Sequence, residues 1–199
     1  MRGFFGIGVE GLSKPMNAGT LFRSAHAFGA SFVFTLGGVW HQREADLSDT
    51  SGSVNQMPHY HFAGLAELRL PERCALVGIE LIDEAVELPS FRHPRCAAYV
   101  LGPERGSLSP ALVARCEHVI RIPTRFCINV AIAGSIVMYD RLISTQRFAS
   151  RPLTAGGALE PLPVHVHGQP TLRREQTESP AHESGRPRTD GVGKRGGEH

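Results

Sequence analysis

Three short segments in the first 150 residues are apolar almost throughout, and this constrains the fold more than any other feature of the chain. They are Cys74-Ala-Leu-Val-Gly-Ile-Glu-Leu81, Cys96-Ala-Ala-Tyr-Val-Leu-Gly102 and His118-Val-Ile-Arg-Ile-Pro123. A strand with one wet face alternates between apolar and polar residues. A strand that is apolar at both parities is covered on both faces, as in a parallel sheet flanked by helices. The rest of the region fits that reading. Phe4–Gly11 opens as a strand, and Ala30–Leu36 reads as another. Between them, Asn17–Phe28 reads as a helix, with Leu21, Phe22, Ala25 and Phe28 spaced three or four apart and Gly29 as its stop. Ala63–Leu70 reads as a helix before Pro71, and Ile128–Ser144 as a last helix rich in small residues. This alternation predicts an α/β fold built on an open, mostly parallel sheet.

The 199 residues suffice for one well-buried core. Residues 1–148 form the predicted domain, and 149–199 a polar tail. Residues 151–199 contain no Phe, Trp or Tyr. Such a segment buries too little apolar surface to offset its ordering entropy, which predicts disorder. The arginines that could touch RNA, Arg173, Arg174, Arg186 and Arg188, are interspersed with acids, which favours a solvated tail over an RNA-binding arm. No apolar run approaches membrane-spanning length, and the N-terminus lacks a secretory h-region. A cytoplasmic protein with no membrane partner is expected.

The net charge is +2, with 14 basic and 13 acidic residues in 1–150. A nucleic-acid partner would therefore be met by a local patch rather than a global field. Only Lys14 and Lys194 are lysines among the 21 basic residues. The cysteines Cys74, Cys96, Cys116 and Cys127 show no C-x-x-C pair, and for the first three the simplest reading is small, mostly buried thiols, with Cys127 weighed below. The pairs His59/His61 and His165/His167 lack the further ligands a metal needs, and no metal is expected.

Three segments sit where α/β proteins place ligands, at strand ends or helix starts. The first runs from Asn17 to Arg23, with Asn17 placed to cap its helix. At about 100° per residue the two side chains are offset by about 120° and need not face one another. The second is Val100-Leu-Gly-Pro-Glu104-Arg-Gly106-Ser-Leu-Ser109, a strand end and glycine-containing turn leading into a helix. It lacks the G-K-[ST] ending of a P-loop, and G-x-G-x-x-G is absent. The third is Arg121-Ile-Pro-Thr-Arg-Phe-Cys127-Ile-Asn129-Val-Ala-Ile-Ala-Gly134, in which small residues permit close backbone approach. Gly134 within a helix costs roughly 1 kcal/mol relative to Ala, which suggests a packing need.

In this order and spacing the segments resemble the three motifs of the SpoU/TrmH branch of the SPOUT RNA methyltransferases. Asn17 and Arg23 match the first motif. Leu101, Gly102, Glu104 and Gly106 match the second, and Ile122, Pro123 and Cys127–Ala133 the third. The resemblance covers residues 3–145. It implies a C-terminal deep trefoil knot, a homodimer with each active site built from both subunits, and S-adenosylmethionine as methyl donor. The cofactor role carries over to Gly102, Ile122 and Ile128, with Leu101 and Ile79 beside them. The implied reaction is attack of a ribose 2'-oxygen of RNA on the sulfonium methyl.

The resemblance also implies that Arg23 is the essential residue, with Asn17, Glu104 and Asn129 arranging it, the ribose and the loops. A guanidinium with a pKa above about 12 is a poor base, so positioning and charge stabilisation are the expected role of Arg23. Cys127 stands where the family usually carries Ser, and Ala131 where many relatives carry Ser. The chain shows no separate N-terminal RNA-binding domain of the kind common in rRNA-modifying relatives, which tilts the expected substrate toward tRNA. Two alternatives are a catalytically silent RNA-binding protein on the same fold and an RNA base methyltransferase using Cys127 as nucleophile. Cys127 has no neighbouring acid/base pattern in sequence, and the four polar motif residues occur together, so both are disfavoured.

Overall fold

A computed structural model describes residues 3–12, 14–38, 57–146, 148–149, 151–152 and 154–158. The chain divides into two units, Met1–Ala149 and Ser150–His199. The second is described at so few positions that only a turn is defined there, with Gly157 N donating to Thr154 O at 3.0 Å. The His165/His167 pair and the tail arginines 173–188 lie outside the described residues.

The first unit contains β1 (Phe4–Glu10), α1 (Pro15–Ala27), β2 (Phe32–Leu36), β3 (His59–Phe62), β4 (Ala75–Ile79), β5 (Val86–Glu87), β6 (Cys96–Leu101), α2 (Pro110–Arg115), β7 (His118–Arg121) and α3 (Val130–Thr145). The seven strands form one sheet in the order β3-β2-β1-β6-β4-β7-β5, and every pairing is parallel. The three continuous apolar runs become β4, β6 and β7, side by side in the sheet.

The composition of β4 and β6 follows from burial on both faces, whereas β7 is buried only at Ile120 and leaves His118 exposed, so the expectation of two covered faces fails there. In β6, Ala97, Tyr99 and Leu101 join the cluster under α1 and α3, which also holds Leu21, Phe22 and Val137. Ala98 and Val100 face the opposite way, into a second cluster with Phe34, Leu108 and Leu112. Gly134 of α3 has the packing role its position suggests: a Cβ there would collide with Leu21 Cδ1 of α1. Gly29, at φ +76°, ends α1 in the left-handed conformation as expected.

Several local expectations are corrected. Helix α1 starts at Pro15, with Lys14 as N-cap and no side-chain cap bond. Asn17 therefore lies inside the first turn and does not cap it. Proline at the first helical position suits an amide that would be unpaired anyway, and so sets the start earlier. Ala63–Leu70 forms only a single 3-10 turn at Leu65–Glu67. Gly64 precedes that turn, and Leu68 leaves it at ψ 117° to bury its side chain. Strands β3 and β5 carry no recognisable apolar pattern, and the sequence alone does not predict them. β3 pairs on one side with β2 and places His59 and His61 around Thr35, whose hydroxyl lies 3.3 and 2.9 Å from their ring nitrogens. Those two histidines thus have a hydrogen-bonding role in the sheet.

At the N-terminal ends of the strands a polar relay ties α3 down. Arg141, buried, donates to Tyr99 Oη at 3.1 Å and to the carbonyls of Pro94 and Arg95. Tyr99 Oη lies 2.6 Å from His93 Nδ1, and His93 Nε2 lies 2.8 Å from Asp140 Oδ2. Burial lowers the pKa of His93, outweighing the opposing pull of Asp140. The consistent arrangement is a neutral imidazole that accepts from Tyr99 and donates to Asp140. Among the described residues no helix is long and apolar enough to cross a membrane.

Candidate active site

The C-terminal ends of the parallel strands carry a pocket of about 340 Å³. Ile79 ends β4, Leu101 ends β6, and Ile122 follows β7; together with Ile128 they supply its apolar wall. Gly102 contributes backbone. A Cβ at Gly102 would sit 2.9 Å from Leu108 N and 3.1 Å from Ser107 C, so only glycine lets the loop after β6 fold back this tightly. Asn17, Glu104 and Asn129 also line the pocket. Eight of the nine residues singled out from sequence therefore meet in one cavity.

Three of these form a directed chain. Asn129 caps α3 by accepting from Ala131 N at 2.9 Å through Oδ1. Its Nδ2 is left to donate, and it does so to Asn17 Oδ1 at 3.2 Å. That orients Asn17 with Nδ2 toward Glu104, where it donates to Oε1 at 3.1 Å. Each amide has only one orientation that satisfies both neighbours, so the helix cap sets the direction of the whole chain.

Arg23 is the exception. It is exposed and does not line the pocket. On α1 it falls on a stripe with Met16, Thr20 and Ala27, all exposed and spaced at helical intervals. Thr20 borders a second, shallower depression shared by α1 and α3, lined also by Asn17, Asn129, Ile132, Ile136 and Tyr139. Along α3, Ile132, Ile136, Tyr139 and Ile143 repeat at intervals of four, three and four, and all are exposed.

Sequence reasoning missed two carboxylates that hold the loop over the pocket. Glu10, at the end of β1, accepts from Ser109 N at 2.7 Å and Ser109 Oγ at 2.5 Å. Glu80, just after β4, accepts from Leu108 N at 2.6 Å and lines the pocket. The available signal was an acid directly at the end of each of two apolar strands, Val9-Glu10 and Ile79-Glu80. Lys14 and Thr124 also line the wall and went unnoticed. Cys127 lies on the pocket and is exposed. Cys74 and Cys116 are remote from this role, since burial pushes both thiols up to about 11.

Comparison with known proteins bears on the fold and the family. A putative TrmH family tRNA/rRNA methyltransferase of Staphylococcus haemolyticus is 25% identical over 142 residues, 66% of this chain and 55% of that protein. The chain thus spans about half the length of this curated relative. The crystal structure of an RNA 2'-O ribose methyltransferase matches with a TM-score of 0.64 and 24% identity, covering 72% of this chain and 57% of the other. The SpoU methyltransferase AviRb from Streptomyces viridochromogenes, solved with the cofactor AdoMet, matches with a TM-score of 0.63 and 21% identity, covering 70% and 60%. These likenesses establish the fold. The model of the SpoU rRNA Methylase family matches residues 5–139, the whole span from β1 through most of α3, and the chain belongs to that family.

Proposed function

We propose that this protein is an S-adenosylmethionine-dependent RNA methyltransferase that modifies a ribose 2'-hydroxyl, of tRNA in preference to rRNA. The observation that carries the reading is the Asn129–Asn17–Glu104 chain, which lines the pocket at the strand ends together with its apolar wall of Ile79, Leu101, Ile122 and Ile128. The pocket residues suit the cofactor. Ile79, Leu101, Ile122 and Ile128 offer apolar surface for an adenine, and Gly102 leaves backbone close at hand. Glu80 and Glu104 bring negative charge to the same cavity, which favours a cationic sulfonium. Its volume falls within the range of about 300–1,000 Å³ typical of small-molecule sites.

When bound, the cofactor supplies a methyl group already activated for attack, so the protein's task is alignment and charge management. Glu104 is held by Asn17 and presents its carboxylate at the cavity. Arg23 orients the RNA by its fixed cation, and the 2'-hydroxyl proton leaves through a phosphate or a water rather than through the guanidinium. Arg23 lies away from its own pocket but beside the exposed α1/α3 face. We read that face as the seat of a second copy, which would bring Arg23 of each chain to the pocket of the other. The apolar repeat on α3 supports this, since a solvated helix face rarely carries four large apolar side chains.

The strand order supports the trefoil knot implied by the family. The chain leaves β5, crosses to β6 on the far side of β4, and returns to insert β7 between β4 and β5. Titration calorimetry with S-adenosylmethionine, followed by nucleoside mass spectrometry of RNA from a strain lacking the gene, tests the proposal. Micromolar binding and loss of one 2'-O-methylated nucleoside are expected. No binding below the millimolar range, or an unchanged set of ribose methylations, would overturn it.

A further inference from the structure

Phe126 is 73% exposed, the most exposed large apolar side chain among the described residues. It lies in the loop between β7 and α3, with Thr124 and Cys127 on either side of it lining the pocket. The loop is anchored at both ends. Thr124 N donates to Ile122 O at 2.7 Å, and Ile122 and Ile128 pack against the main core. Phe126 is therefore presented to solvent by a held loop whose neighbouring residues Thr124 and Cys127 line the cavity.

The cations nearby share one property. Arg125 precedes Phe126, Arg105 sits between the pocket residues Glu104 and Gly106, and Lys14 lines the wall itself. All three are exposed, and none of their side chains makes a hydrogen bond or ion pair with a described residue. Several other arginines are engaged: Arg121 pairs with Glu87, Arg115 bonds two carbonyls, and Arg141 is buried in its relay. An exposed aromatic ring set among uncommitted cations suits a nucleobase with its flanking phosphates. Every base offers a π-face, and each base–aromatic stack contributes about 1–3 kcal/mol.

We propose that Phe126, supported by Arg125, is a stacking platform for one nucleobase of the RNA, next to the ribose that enters the pocket, with Lys14 and Arg105 facing the neighbouring phosphates. This rests on the methyltransferase reading above. It assigns to the loop a substrate-binding role distinct from holding the cofactor. Base stacking by a held aromatic is sequence-tolerant, so the platform contributes affinity and position while leaving the choice of nucleotide to other contacts.

The test uses the full chain with unfractionated tRNA and a single-stranded 12-mer RNA as probes. Phe126→Ala is expected to weaken RNA binding roughly 5- to 160-fold, the loss of one stack. Phe126→Trp is expected to restore it. In a Trp40→Phe background, the introduced indole should be quenched on RNA addition. S-adenosylmethionine affinity should stay within about twofold in every variant, which shows that the pocket is intact. Three results would overturn the proposal: RNA affinity unchanged in Phe126→Ala, failure of Trp to rescue a loss, or a change from dimer to monomer in light scattering, which would make Phe126 a subunit contact. If the wild-type chain bound cofactor but neither RNA, the platform alone would fall. Absence of both bindings would sink the methyltransferase reading with it.

Discussion

Asn129 donates its side-chain amide to Asn17 across 3.2 Å, joining the start of α3 to the first turn of α1 over 112 positions of sequence. Because Asn129 Oδ1 is occupied by the cap of α3, the same residue sets a helix start and the orientation of a pocket side chain. Asn129→Ala should cost about 1 kcal/mol through the lost cap. It should also leave Asn17 without its orienting donor. A drop in melting temperature of a few degrees with a much larger fractional loss of methylation is expected. Equal losses in both, measured by calorimetric melting and methyl transfer, would reduce Asn129 to a cap.

Arg23 offers a different split. Since it does not line the pocket of its own chain, Arg23→Ala should leave S-adenosylmethionine affinity within about twofold while lowering methyl transfer about 100-fold or more, the effect of losing a charge-stabilising donor. Arg23→Lys keeps the charge but not the planar fork, and should recover only part of the rate. Calorimetry and single-turnover methylation check both. Arg23→Ala with unchanged turnover would remove Arg23 from the mechanism.

The exposed repeat on α3 predicts an assembly. Ile136→Glu combined with Tyr139→Arg places charges of both signs in the middle of the stripe and should yield a folded monomer with little activity. Light scattering gives the mass and circular dichroism the fold. A wild-type chain that is monomeric at micromolar concentration would refute the shared-site arrangement.

Acid should destabilise the fold in a defined window. Burial, and then the charge of His61, lower the pKa of His59 from 6.5 to about 4. Between about pH 6.5 and 4 the unfolded chain takes up a proton that the native chain refuses, so stability falls as pH falls and levels off below about 4. His93 acts in the same direction, its pKa also lowered by burial. Melting temperature measured from pH 7 to pH 4 should decline, and His59→Gln should flatten the slope. An unchanged slope in that variant would place the acid sensitivity elsewhere.

The relay at the other end of the strands separates stability from function. Tyr99→Phe would strand the acceptor nitrogen of His93 and remove one partner of Arg141. A cost of about 1–3 kcal/mol in urea unfolding is expected, with cofactor affinity preserved.

Much of this architecture was legible in the sequence, for definite physical reasons. The strands buried on both faces, β4 and β6, announced themselves because no polar residue is tolerated at either parity. β3 did not, because it pairs on one side only and its His59, Tyr60 and His61 read as polar or mixed. The two residues of β5 are too short to carry any period. In the pocket, Asn17, Leu101, Gly102, Glu104, Ile122, Ile128 and Asn129 come from the three motifs of the family resemblance, and Ile79 from its implied place beside them. The clamps formed by Glu10 and Glu80 were not legible, because their partners are backbone and hydroxyl groups at Leu108 and Ser109, reached only through tertiary contact. The helical offset of Arg23 from Asn17 was visible; that the offset carries Arg23 out of its own pocket emerges only when α1 is packed against α3.

The insertion of β7 between β4 and β5 also bears on how the molecule is made. β5 emerges from the ribosome about thirty residues before β7, its only partner among the described strands. Until residue 121 is available, β5 has nothing to pair with and one edge of β4 stays open. A chain ending at Glu117 would therefore forfeit two strands rather than one, and with them the wall that Ile122 and Ile128 complete. Limited proteolysis of such a truncated chain should cut readily between residues 80 and 91, where the full chain resists. The late segment thus acts as a keystone, and synthesis delivers the site only with its final helix.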